Sequence, residues 1–340
     1  MGLARAAGPE CPPCLRTTDC PLWNAIAGKQ DATQCNRALD TVVAAPLLFD
    51  SEFLAKLEQL YLLSKKLFRG AHRAERKSRQ IGSSLEFADY RNYALGDDLR
   101  SVDWNIYGRL DRLFVKLFEQ EQDLHIYFLV DASASMRWEG GTSMTKLDAA
   151  RRITASLAYI GLADLDRVNV HWFAAGLEGD MGLSRGKSQF HKVLEFLRRV
   201  PTLEGETRLL PAFHSFVHRT KRRGLVFVLS DLFDPAGNEE ALALLRHSLF
   251  EVHVIQVLDP AELRPAARGD LRLIEGETGA AFEITANDAL LRRYHEEIDA
   301  FIANLASYCQ RRGVAYAQAT TEVPFEDLVL RVLREGRMLK

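Results

Sequence analysis

Two patterns of apolar residues alternate along most of this chain. The first is a short run, continuous or nearly so at His125–Val130 (HIYFLV) and Gly224–Ser230 (GLVFVLS), and interrupted by polar residues at Arg167–Ala174 (RVNVHWFA), Phe250–Leu258 and Val314–Ala319. Runs of this length, rich in β-branched and aromatic residues, predict strands covered on both faces. The second places apolar side chains every three to four residues. Lys146–Leu165 does so with Leu147, Ala150, Ile153, Leu157, Ile160 and Leu162, and Ser188–Val200, Leu209–His218, Glu239–Ser248, Asp288–Arg312 and Pro324–Arg334 also read as helices. Gly313 supplies the stop for the longest of them. The alternation predicts an α/β fold: a doubly wound, mostly parallel sheet with helices on both faces.

The pattern is weaker before residue 123. A helix capped by Ser51 is predicted from Asp50, with Phe53, Leu54, Leu57, Leu60, Tyr61 and Leu63 at helical spacing and Gly70 as its stop. The basic run Lys65–Arg79 lacks interleaved aromatic residues for base stacking and reads as a solvated face. Gly82–Gly108 mixes aromatic and charged residues without period. It predicts an irregular loop, turned at Gly96-Asp97-Asp98 and pinned by Asp98, Arg100, Asp103 and Trp104. Asp97, Asp98 and Asp103 form an acidic cluster with no nucleophile beside it, so a structural or partner-docking role is favoured over catalysis. Leu113–Glu119 reads as a strand turning through Gln120–Asp123 into His125–Val130 as a hairpin. Asp259–Leu263 reads as the start of a loop, and Leu271–Thr285 as a short hairpin or edge strands. The expected organisation is an extension over 1–45, an irregular N-terminal region over 46–122, the α/β domain over 123–320 and a C-terminal helix over 321–340.

Composition narrows the function classes. Among 340 residues, 44 basic and 46 acidic side chains leave a formal charge of −2, so no global field favours nucleic acid or an anionic membrane. No apolar run approaches the roughly 18 to 20 residues of a membrane-spanning helix, and Val42–Phe49 is interrupted by Pro46. No signal-peptide order precedes it, so a cytoplasmic location is expected. Cys11, Cys14, Cys20 and Cys35 crowd the N-terminus while Cys309 stands apart. Their spacing matches no strongly typed zinc pattern; an incidental leader is the plainer reading, with metal or redox chemistry as the alternative. His214 and His218 are four apart but lack a third ligand. Neither G-x-x-x-x-G-K-S/T nor G-x-G-x-x-G occurs, so ATP binding by this chain is not expected.

The chemistry concentrates at strand ends. The run at 125–130 delivers Asp131, Ser133 and Ser135 in succession, and the run at 224–230 ends at Asp231. In open α/β sheets ligands collect outside the carboxyl ends of the strands, so adjacent strands would bring both carboxylates to one crevice. Gly205-Glu206-Thr207-Arg208, just before a predicted helix, can add the Thr207 hydroxyl. Such hard oxygen donors suit Mg²⁺, Mn²⁺ or Ca²⁺ better than zinc. A cation would relieve the repulsion between facing carboxylates; the alternative is that the triplet only caps the loop that follows it.

Asp131-x-Ser133-x-Ser135, the G-x-T loop with Thr207 and the strand ending at Asp231 together resemble the metal-ion-dependent adhesion site of von Willebrand factor type A domains. The resemblance implies metal ligation by Ser133, Ser135 and Thr207, with Asp131 and Asp231 binding directly or through water and one position open to an acidic residue of a partner. The stretches EFADYRNYALGDDLRSVDWNIYGR and LFVKLFEQEQDLHIYFLVDASASM resemble the bacterial domain-of-unknown-function fifty-eight family, whose members carry a type A domain, over about residues 51–335. That resemblance implies a link to MoxR-type AAA+ ATPases. The expected function is therefore a non-enzymatic, metal-dependent protein-binding module, an adaptor or chaperone-like partner of such an ATPase. The alternative is a Mg²⁺-dependent phosphatase or phosphotransferase with Asp131 as nucleophile.

Overall fold

A computed structural model of the chain describes residues 48–68, 86–119, 124–137, 144–199, 207–234, 236–274 and 281–335. Cys11, Cys14, Cys20 and Cys35, most of the basic run 65–79, and Gly205 and Glu206 lie outside the described residues.

Helix α1 (Ser51–Phe68) starts where the apolar spacing places it, but Asp50 caps it: Asp50 Oδ1 accepts the Phe53 N–H at 2.7 Å. An acceptor one residue before Ser51 reaches the first free N–H groups equally well, and the carboxylate also suits the positive end of the helix.

Gly82–Gly108 departs most from its expectation of an irregular loop. It holds strand β1 (Glu86–Asn92), a 3₁₀ turn (Leu99–Ser101) and helix α2 (Trp104–Leu110). Strand β2 (Phe114–Glu119) pairs with β1 as an antiparallel two-stranded sheet. The predicted hairpin between this strand and His125–Val130 does not form: strand β3 (His125–Asp131) already has neighbours on both edges.

The main sheet continues through helix α3 (Lys146–Ala163), strand β4 (Arg167–Phe173) and two edge strands, β5 (Leu177–Asp180) and β6 (Ser184–Arg185). Helices α4 (Phe190–Arg198) and α5 (Leu209–Arg219) precede strand β7 (Leu225–Ser230), then helix α6 (Glu239–His247) and strand β8 (Glu251–Leu258). Asp259–Leu263, expected as loop, is the short helix α7 (Pro260–Leu263). Its capping box joins Asp259 and Glu262, and Pro260 is preorganised for a first turn. A hairpin of β9 (Gly269–Ile274) and β10 (Ala281–Ala286) stands apart as a second two-stranded sheet. Helix α8 (Asp288–Arg312) ends at Gly313 in the left-handed conformation (φ 64°), and strand β11 (Ala315–Thr320) and helix α9 (Phe325–Glu335) complete the described chain.

The seven-stranded sheet has the order β11-β8-β7-β3-β4-β5, with β6 also on β4. All its pairings from β11 to β4 are parallel, and β5 and β6 add antiparallel edges. The chain moves outward from β3 to β4, then returns to β3's other side and builds outward through β7, β8 and β11. The winding therefore reverses between β3 and β7, where open α/β sheets form a crevice.

Side-chain alternation assigns the two faces. Ile126, Phe128 and Val130 of β3 join one apolar cluster with α1, α3, α4 and α9. Tyr127 and Leu129 join the other with α5, α6 and α8. The Phe128 and Phe227 rings stack at 5.2 Å between adjacent strands. Each fully buried large apolar side chain contributes on the order of 1.5–3 kcal/mol, enough to hold β3 and β7 rigidly and to aim the residues that follow them.

Candidate functional site

The parallel register pairs Val130 with Leu229, which places Asp131 opposite Ser230 and Asp231 one residue further out. Asp131, Ser133, Ser230 and Asp231 are all fully buried. Asp131 Oδ1 accepts the Ser133 N–H at 2.9 Å, while Oδ2 accepts the Ser230 hydroxyl at 2.6 Å. The first bond folds the chain after β3 into a tight turn, and the Ser133 and Ser135 hydroxyl oxygens lie 3.0 Å apart. Ala132 N–H donates to the Phe173 carbonyl at 2.8 Å, tying that turn to the end of β4.

Thr207 is also fully buried. Its neighbour Arg208 donates its N–H to Ala174 O at 3.0 Å, just beyond Phe173, the register partner of Asp131. Thr207 is thereby held at the same end of the sheet. The next residue, Leu209, opens α5 and donates its N–H to Asp234 Oδ2 at 2.7 Å. A carboxylate from the loop after β7 thus acts as the helix cap and ties the Thr207 segment to the Asp231 segment.

Burial raises the Asp131 carboxyl to about 7, with the charge of Asp231 acting in the same direction and the bonds from Ser230 and Ser133 opposing it. Asp231 is held differently. Its Oδ1 accepts the Phe233 N–H at 3.2 Å, and its Oδ2 accepts from Lys146 Nζ at 2.8 Å. Lys146, the first residue of α3, is fully buried and also donates to Glu262 Oε1 at 2.6 Å. Burial works against its charged form, but the carboxylates of Asp231 and Glu262 outweigh that and hold the ammonium above its ordinary value. Burial raises Glu262, against the pull of Lys146.

Sequence reasoning missed Ser230, Lys146 and Glu262. Ser230 sits beside the expected Asp231, and Lys146 begins the expected helix, but neither position announces its partner. Glu262 is 116 residues from Lys146, and only folding joins them. Asp259 was legible: it ends a third apolar run, as Asp131 and Asp231 do, and is fully buried. Its oxygens are engaged by Ala261 N and Thr321 Oγ1 at 2.9 Å each.

The other candidates resolve into structure. Asp103 caps α2 and pairs with Lys116 at 3.0 Å; Asp97 pairs with Arg91 at 2.8 Å; Asp98 accepts the Arg100 N–H at 2.9 Å. His214 and His218 stand on the exposed side of α5 with ring centres 4.9 Å apart. Among the described residues, no group of three or more His, Cys, Asp or Glu side chains is gathered around one point. The donors at the crevice are two carboxylates and neighbouring hydroxyls.

Among the described residues, no helix is long and apolar enough to cross a membrane. The chain is 25% identical over 277 residues to a Mycobacterium tuberculosis (strain ATCC 25618 / H37Rv) protein named uncharacterized protein Rv1480, covering 80% of this chain and 86% of that one. The same figures hold for uncharacterized protein Mb1516 of Mycobacterium bovis. Similar solved structures include an aerotolerance-related membrane protein from Bacteroides fragilis (TM-score 0.41, 15% identity, 63% of this chain and 99% of that one). Another is the conserved hypothetical protein BatB from Bacteroides thetaiotaomicron (TM-score 0.41, 13% identity, with the same coverage). The model of the family described as "Protein of unknown function DUF58" matches residues 89–301, well over half of the chain, and the chain belongs to that family.

Proposed function

We propose that this protein is a non-enzymatic, divalent-metal-dependent protein-binding module with a von Willebrand factor type A-like domain, acting in the cytoplasm. The observation that carries the reading is the hydrogen-bonded set Asp131, Ser133 and Ser135 at the end of β3, beside Asp231 and at the sheet end that holds Thr207. The donor chemistry fits a small hard cation. The buried carboxylates of Asp131 and Asp231 act on each other, and a divalent ion would relieve that repulsion.

Ser133, Ser135 and Thr207 would hold the ion, with Asp131 and Asp231 behind them, and Mg²⁺ or its alternatives Mn²⁺ and Ca²⁺ would offer a position to an Asp or Glu of a partner. The family resemblance makes a MoxR-type AAA+ ATPase the first partner to test, with an adaptor or chaperone-like role in protein maturation or assembly. The phosphotransfer alternative, with Asp131 as nucleophile, would show as covalent phosphate on Asp131 after incubation with acetyl phosphate.

Isothermal titration with Mg²⁺, followed by titration with the cognate MoxR-type ATPase in Mg²⁺ and in chelator, tests the reading. Binding of the metal, and partner binding lost in chelator and in Asp131→Ala, are expected. Partner affinity unchanged by chelator and by Asp131→Ala would remove the site from the mechanism.

A further inference from the structure

Lys146 is an improbable place for an ammonium group. It is fully buried and occupies the first position of an 18-residue helix, at the positive end of the helix dipole. Two carboxylates offset those costs: Asp231 at 2.8 Å and Glu262 at 2.6 Å. Both are themselves pinned. Asp231 is held by Phe233 N, and Glu262 Oε2 accepts the Asp259 N–H at 3.2 Å within the α7 capping box. The Phe233 ring covers the ammonium, with its centre 5.7 Å from Nζ. Lys146 therefore has two carboxylates in reach, and one of them, Asp231, belongs to the proposed metal site.

We infer that Lys146 is a tethered counter-ion of this site, competing with a divalent cation for Asp231 and so setting the affinity and charge selectivity of the site. The inference rests on the metal-binding reading above but is separable from it. Lys146 satisfies the Asp231 carboxylate and keeps two buried acids from facing each other uncompensated. With Asp231 shared with a bound cation, the ammonium would keep Glu262 as a partner, and no buried charge would be stranded. A monodentate amine on a flexible stem suits such an exchange better than a guanidinium fork would.

The test compares wild type, Lys146→Met and Glu262→Gln by titration with Mg²⁺ and with Tb³⁺, the latter read by sensitised luminescence. Met keeps the length and apolar bulk of the stem while removing the competitor and one positive charge. Lys146→Met is expected to bind Mg²⁺ at least roughly tenfold more tightly, with a larger gain for Tb³⁺, because attraction scales with the ion's charge. Glu262→Gln is expected to shift affinity the other way: it removes one negative charge and leaves Asp231 as the only charged partner of the ammonium. If Lys146→Met does not fold, the Glu262→Gln result decides, and affinity equal to or above wild type overturns the inference. Wild-type binding without a gain in Lys146→Met overturns it while leaving the metal-site reading intact. Binding by Lys146→Met but not by wild type supports the inference and refutes a metal-dependent function for the natural protein. Failure of every form to bind either ion overturns both.

Discussion

Replacing Ser230 with alanine removes one oxygen that serves two buried partners. The hydroxyl donates to Asp131 Oδ2 at 2.6 Å and accepts the Leu232 N–H at 2.9 Å, and all three residues are fully buried. A hydrogen bond to a charged group contributes roughly 1.5–3 kcal/mol, and a buried N–H stripped of its acceptor costs about 1–3 kcal/mol. Leu232 has φ 63°, so its amide is held in a constrained turn and cannot easily swing to another acceptor. Partial relaxation makes the two contributions overlap, and the expected loss is about 2–4 kcal/mol. That is a visible fraction of the roughly 5–15 kcal/mol that stabilises a typical folded domain. Urea denaturation followed by tryptophan fluorescence at pH 7.5 in chelator measures it, with the slope unchanged if only native stability is affected. Ser215→Ala is the control: its hydroxyl is exposed and bonds only to the Pro211 carbonyl within α5, so its loss should stay within about 0.5 kcal/mol. A Ser230→Ala loss as small as the control's would refute the idea that this hydroxyl organises the Asp131 carboxylate.

Two further outcomes test the frame and the charge state of the site. At Gly224 an added Cβ would lie 2.1 Å from the His125 carbonyl oxygen and 2.9 Å from its Cβ. Both are parts of the β3 edge that cannot rotate away, so Gly224→Ala should cost at least about 2 kcal/mol by thermal or chemical denaturation, and a neutral result would contradict the β3–β7 pairing. The Asp131 carboxyl stands near 7 in the fold against an ordinary value of 3.8. A group raised in this way contributes stability that is fully present below about pH 4 and lost as pH rises through about 7. Measured in chelator, Asp131→Asn, which mimics the protonated form, should therefore gain on wild type between pH 4.5 and 7.5. A difference between the two that does not vary with pH would disprove the assigned charge behaviour.

The large elements and the alternation of strand and helix follow from local residue pattern. Unbroken runs such as 125–130 and 224–230 can be buried only between two helical layers, and the 3.6-residue spacing of 146–165 and 288–312 can bury one face only as helix. Gly313 and the apolar side chains of α8 state that helix's end without reference to any other part of the chain. The aspartates at 131 and 231 were legible because they interrupt apolar runs, where an ionisable group has a cost that needs a reason. Tertiary structure alone decided which edges meet. The residues of β2 do not name their partner; in the fold β4 and β7 occupy both edges of β3, and β2 pairs with β1. The same holds for the site: Ser230 becomes the partner of Asp131 through the register of two strands, and Lys146 meets Asp231 and Glu262 across 85 and 116 residues. Local sequence carries the free energy of forming an element and covering its face, whereas pairing between buried charges is set by distances that do not exist until the sheet closes.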